Sequence, residues 1–273
     1  MLENFSLATT DFDGATSDSG GDVKAMLCKE LNLHWEWCFA HMTHAATKSS
    51  CGVNGAASAA ANPAMADLIS RMVKTIFQVK VVSVTGNLFA ELCKSKTKDA
   101  STRLLGYSTS RFLSLTRSLE RVLEKWPAIT AWYEVRTRKA LRASPPPPEF
   151  PLANRHDDLV HVLSVLKPIG EVKRICQAEH PVQVEILVQL YMARIQDLDP
   201  DQPLPLYLST DKNPRWIPAS DLTPLAADVR RLLREAPKQT HAVGPTTSTW
   251  TRGLCLTGDR VAPLACLNAH SAQ

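Results

Sequence analysis

The stretch Ala15–Gly52, ATSDSGGDVKAMLCKELNLHWEWCFAHMTHAATKSSCG, sets the reading of this chain. It runs as an acidic turn, a short amphipathic helix, an aromatic strand and a second helix. Asp22 is the expected N-cap of the first helix, whose apolar face is Val23, Met26, Leu27 and Leu31. Leu33, Trp35 and Trp37 alternate with His34 and Glu36, the period of a strand. The second helix opens with Cys38-Phe39-Ala40-His41 and runs to about Ser50. This order places Asp18 and His41 at the ends of two elements able to lie side by side.

Outward from this stretch the chain reads as a helical body. Upstream, Phe5–Thr10 reads as a short strand, and Asp11-Phe12-Asp13-Gly14 is turn chemistry. Downstream, Cys51–Pro63 is a Gly- and Ala-rich linker, and Leu68, Met72, Ile76 and Val79 carry a helical stripe. Helices are expected over Gly86–Cys93, along Phe112, Leu115, Leu119, Val122 and Leu123, and along Ile129, Trp132, Tyr133 and Val135. Ser144 to Pro148 is a polyproline linker. Beyond it, Leu159–Ile169 and Val184–Ile195 are helical, Pro200–Pro218 is loop-like, and Leu222–Ala236 is a last helix capped by Asp221 or Thr223. After Pro237 the periodicity ends and disorder is expected.

At 273 residues and 44% hydrophobic content, the chain can bury a substantial core. A net charge of +4 is compatible with nucleic acid without arguing for it. The 7 cysteines are odd in number and scattered, which fits a reduced compartment better than a disulfide scaffold. No apolar run reaches the ~20 residues that cross a bilayer, and Met1-Leu2-Glu3-Asn4 is unlike a signal peptide. The expectation is a nuclear or cytoplasmic protein that is neither membrane-bound nor secreted.

Several residues have two readings. Asp18 follows a strand-like stretch, where a carboxylate can reach a metal such as Mg²⁺; an Asx turn or helix cap is the alternative. Cys38, His41, His44 and Cys51 include a Cys-x2-His-x2-His run, the donor chemistry of zinc. That run falls in or just ahead of a single helix and has no second ligand pair, so zinc is not the expected metal. Cys38 then reads as a small buried hydrophobe. Trp35 and Trp37 share a strand face suited to core packing or to base stacking. Arg111, Arg117, Arg121, Lys125, Arg136, Arg138, Lys139 and Arg142 read as a phosphate-facing ridge, or as a solvated face paired with Glu120, Glu124 and Glu134.

Taken together, these blocks resemble those of hAT-superfamily DNA transposases. Thr16 to Lys24 resembles that family's T-D-x-G/A-x-N/D-V/M-K block, and Cys38-Phe39-Ala40-His41 its C-x-x-H block. Ser110-Arg111-Phe112-Leu113-Ser114 resembles its T-R-W-x-S block, and Leu166-Lys167-Pro168-Ile169 with Gln177-Ala178-Glu179 its L-x-P…Q-x-E stretch. The resemblance covers roughly residues 5–235. It implies an RNase H-like core interrupted by an α-helical insertion domain, with Mg²⁺ or Mn²⁺ held by two Asp and one Glu for strand cleavage. Asp18 matches the second catalytic and metal-binding Asp. His41 matches the His near the transposon end. Arg111 and Phe112 match the DNA-contacting pair, with Phe112 in the place of a base-stacking Trp.

The chain departs from the family where it would need the first Asp, the Glu, a BED finger and the E-R-x-F-S dimerisation block. The implied protein is a fragment or decayed copy that retains DNA binding and lacks cleavage. Its fold class is α/β and predominantly helical, with a partial RNase H-like core over residues 1–60. The helical insertion domain occupies 61–143 and 156–236, split by the Pro-rich linker 144–155, with a disordered tail over 237–273. A helical protein-interaction module with no nucleic-acid role is the alternative.

Overall fold

The computed structural model describes residues 8, 12, 14–18, 20–53, 61–81, 87–97, 102–109, 111, 113–140, 149–178, 182–206 and 215–239. The expected strand over Phe5–Thr10, the polyproline run 144–148 and the tail after 239 lie outside these residues, apart from Ala8. The described chain is mostly helical with small sheets.

The chain enters through β1 (Gly14–Ser17), then α1 (Gly21–Ala25), which continues as a π-turn over Met26–Glu30, and then β2 (His34–Trp37). β1 and β2 pair in parallel, with Gly14 opposite His34 and Ser17 opposite Trp37. A parallel pair needs a crossover connection, and α1 with its π-turn supplies it. The crossover ends at Asn32, whose φ of 50° suits an Asn better than a bulkier side chain. At Gly14 a Cβ would stand 2.7 Å from the His34 carbonyl oxygen, so this edge of the pair requires glycine. The N-cap of α1 is Gly20, not Asp22; the Lys24 amide donates to the Gly20 carbonyl at 3.0 Å. Asp22 falls two positions beyond the cap, in the first turn, where its carboxylate faces the positive end of the helix.

The body follows as α2 (Phe39–Ser50), α3 (Pro63–Val81), α4 (Leu88–Lys96), α5 (Ser114–Glu124), α6 (Trp126–Ala140), α7 (His156–Cys176) and α8 (Gln183–Met192). A π-turn over Ala193–Asp197 extends α8. The loop-like segment 200–218 contains a short antiparallel pair, β3 (Leu204–Pro205) and β4 (Trp216–Ile217). The last helix is α9 (Pro224–Gln239). Its cap is Thr223, whose hydroxyl accepts from the Ala226 amide at 3.4 Å, and proline takes the first helical position. Lys125 lies at the α5–α6 junction, where Pro127 starts a helix rather than breaking one.

One large core joins the helices on both sides of residues 141–148. Leu68, Met72 and Ile76 of α3 share it with Leu119 and Val122 of α5, Ile129 and Trp132 of α6, Leu159, Leu163 and Leu166 of α7, and Val229 of α9. A smaller cluster of Met42, Val172, Ile175, Ile186 and Leu190, with Trp37 and Phe39 against it, fastens β2 and α2 to α7 and α8. Arg230 is buried in α9, where its guanidinium donates to the carbonyls of Asp197 (2.8 Å) and Gln196 (3.2 Å). These carbonyls belong to the π-turn after α8, so the arginine completes hydrogen bonding that the irregular turn leaves open. Among the described residues no helix is long and apolar enough to cross a membrane.

Two substitutions test this packing. Trp132 is fully buried, so Trp132→Ala is expected to cost about 3–5 kcal/mol in urea unfolding. Gly14→Ala is expected to destabilise locally by forcing β1 away from β2, read as faster amide exchange at Ser17 and Cys38.

Candidate nucleic-acid interface

The parallel register carries the ends of β1 and β2 to the same side. Ser17 closes β1, and its carbonyl accepts from the Cys38 amide at 2.7 Å. Asp18 therefore emerges beside the start of α2, and His41 stands in that helix's first turn. Both are exposed. The Asp18 carboxylate accepts from the Gly20 amide at 3.1 Å, which is an Asx turn. Trp35 is tied to this edge as well: its indole N–H donates to the Ser17 hydroxyl at 2.7 Å, and the Lys24 ammonium sits 4.4 Å from its ring centroid. Trp37 turns instead into the smaller core cluster.

One helical turn beyond His41, His44 meets the loop that precedes α5. Its Nε2 lies 3.3 Å from the Thr109 carbonyl oxygen. That contact brings Arg111, which is exposed, to the side of the molecule where His41 stands. Phe112 lies outside the described residues. Asp18, His41 and Arg111 thus come from three separate segments, which the Ser17–Cys38 and His44–Thr109 contacts join at α2.

The basic ridge read from the sequence does not hold together. Lys125 is fully buried, and its ammonium donates to the Thr97 hydroxyl at 3.2 Å. Arg121 pairs with Glu124 at 3.1 Å, Lys167 pairs with Glu120, and Arg136 lies 5.2 Å from the Trp132 ring centroid. Placing a lysine at a tight helix–helix junction buries it, whatever its position on a helical wheel. Arg111, Arg117, Arg138 and Lys139 remain exposed.

The cationic feature that sequence spacing did not reveal is a cleft between α2, the loop 102–113, the start of α5, and α7. It is narrow and opens to solvent at its mouth. Lys48, Arg111 and Lys173 line it together with His44, Ser114 and Thr116, and among the described residues no carboxylate does so. Lys173 sits in the last turn of α7 and is only 3% exposed. Its ammonium donates to the Thr47 hydroxyl at 2.8 Å. Burial pushes Lys173 down from 10.5 to about 8. His44 is also held below its ordinary value, first by burial and then by the nearby Lys173. Cys51, buried beneath, is pushed up to about 12. The negative end of the α7 dipole offsets part of the cost of a buried cation here.

The fit to metal is poor. Cys38 and Cys51 cap opposite ends of α2, about 20 Å apart at 1.5 Å per residue, so they do not share an ion with His41 and His44. Among the described residues no set of three or more His, Cys, Asp and Glu converges as a metal-binding group. Among the described residues Asp18 has no carboxylate partner set for a two-metal centre.

Comparison with protein-family models, with curated proteins and with solved structures finds no match.

The buried lysine gives a test with a definite sign. A lysine whose folded value lies below its unfolded one destabilises the fold below about pH 8, and that cost fades as pH rises toward 10.5. In a chloride buffer, Lys173→Met is expected to raise unfolding free energy at pH 7 by about 2–3 kcal/mol. Urea titrations should show this gain shrinking by pH 10.5.

Proposed function

We propose that this chain is a DNA-binding remnant of an hAT-type transposase, with β1, α1 and β2 as part of an RNase H-like core and α3 to α9 as the helical insertion. Cleavage is not among its activities. Asp18, His41 and Arg111 are the residues of the DNA-facing edge. The reading is supported above all by two contacts, Ser17 to Cys38 and Thr109 to His44, which join the three segments carrying the positions that match the transposase blocks.

On this reading Arg111 supplies charge to the phosphate backbone, and His41 stands near a base or phosphate at the start of α2. Asp18 positions the turn through its Gly20 contact. A carboxylate on a DNA-facing edge repels phosphate, so its retention fits an inherited metal-ligand position better than a backbone contact.

A second reading has its own support. Val73, Phe77 and Val81 recur every four residues along α3 and are exposed, with Phe77 at 62%. Such a stripe suits a protein partner.

DNA binding measured against salt separates the two. The DNA reading expects log affinity to fall with log salt by about one unit per neutralised phosphate. It also expects His41→Ala and Arg111→Ala each to weaken binding several-fold. A slope near zero favours the protein-interaction module. With Mn²⁺ and a supercoiled plasmid, no nicking is expected; nicking that Asp18→Ala removes would overturn the claim of lost cleavage.

A further inference from the structure

We propose that the cleft between α2, the α5 N-terminus and α7 is a phosphate-binding site that takes a terminal phosphate group, a dianion, with Lys173 at its floor. The cleft's own lining carries this inference. It goes beyond the DNA reading and does not need it.

Charge is the first argument. Lys48, Arg111 and Lys173 line one small cleft, and among the described residues no carboxylate lines it with them. Several cations elsewhere on this molecule pair with acids: Arg71 with Asp67, Arg155 with Asp158, Arg174 with Glu171, and Arg231 with Glu235. The charged groups that act on His44 are Lys173, Lys48 and His41, all of the same sign. A cluster of like charges, one of them buried, is costly unless an anion joins it.

Geometry is the second. Lys173 donates one hydrogen bond, to Thr47, and an ammonium has three protons to give. Ser114 and Thr116 bring the first turn of α5 to the cleft wall. α5 spans Ser114–Glu124, and the Ser114 amide at its start donates to the Arg111 carbonyl at 3.3 Å, which ties the rim arginine to the helix entry. The helix end also carries partial positive charge. Leu113, just before it, is held at φ 59°, in the left-handed region that a leucine rarely adopts.

Depth decides the class of ligand. Lys173 lies at the cleft floor and is nearly inaccessible, whereas Arg111 is exposed at the rim. A continuous phosphodiester passing over the surface reaches the rim and not the floor. A group at the end of a chain, or a free phosphate, reaches both. Two negative charges on a monoester also match the cation set better than the single charge of a diester.

The test titrates the purified full chain at pH 7 with inorganic phosphate by calorimetry, at constant ionic strength against chloride. A 5′-phosphorylated and a 5′-hydroxyl oligonucleotide of the same sequence follow. Saturable phosphate binding is expected, weakened at least tenfold by Lys173→Met and several-fold by Arg111→Ala. Arg111 is exposed, so its variant keeps the fold, and a circular-dichroism melt confirms folding of both.

Tighter binding of the phosphorylated oligonucleotide, lost in Lys173→Met, assigns the group to a nucleic-acid end. Phosphate binding without that preference assigns it to a free phosphate or a small phosphomonoester. Either supports the site. Absence of saturable phosphate binding by the unaltered chain, or equal binding by the folded Lys173→Met variant, overturns it. Neither result bears on the salt slope of the 5′-hydroxyl oligonucleotide, which tests the DNA reading separately.

Discussion

Burial of α7 on nearly every side is the constraint from which the rest of the architecture follows. Leu159, Val162, Leu163, Val165 and Leu166 are all within 2% of complete burial, a degree that no single helix–helix contact produces. α2, α5, α8 and α9 all pack against α7. Each residue buried there adds on the order of 1.5–3 kcal/mol of transfer free energy. Because α7 is apolar around much of its girth, neighbours must surround it, and its C-terminal turn is carried into the interior with them. Lys173 is buried as a consequence of where the helix ends, not of its own chemistry.

That consequence gives the molecule its most distinctive electrostatic feature. α2 reaches α7 through Met42 and the smaller cluster, and α5 reaches it through the large core. The gap left between α2 and α5, floored by α7, is the cationic cleft. Packing therefore produces both the pocket and its charge. The His44 contact to Thr109 closes the outer side and fixes the loop that carries Arg111. The same contact links this cleft to the edge formed by β1 and β2. Two features with different chemistry, an exposed edge and a recessed cationic cleft, thus share α2 as their common wall.

Much of the helical body was legible from periodicity. The stripe of Leu68, Met72, Ile76 and Val79 became the buried face of α3, and Leu115, Leu119, Val122 and Leu123 that of α5. Apolar spacing reports burial directly, because a helix repeats its faces every 3.6 residues. The period-2 run around Trp35 and Trp37 likewise marks β2. Boundaries were less legible. Asp22 has the chemistry of an N-cap, yet the cap is Gly20, two residues earlier, since capping preference is worth only about 1 kcal/mol and the strand pairing sets where the turn ends. The π-turns after α1 and α8 leave no sequence signature, and neither does the short β3–β4 pair.

By itself the sequence determined which stretches carry helical periodicity and which faces are apolar. It determined these because they depend on spacing within a single element. Tertiary structure alone decided which cations end up together. Lys48, Arg111 and Lys173 are separated by 62 or more residues at each step, and no local pattern relates them. The same holds for Lys125 and Arg230, whose polar chemistry reads as surface but whose positions at helix junctions bury them. Charge in a sequence fixes how a residue prefers to be solvated. Whether it is solvated depends on what the core brings against it.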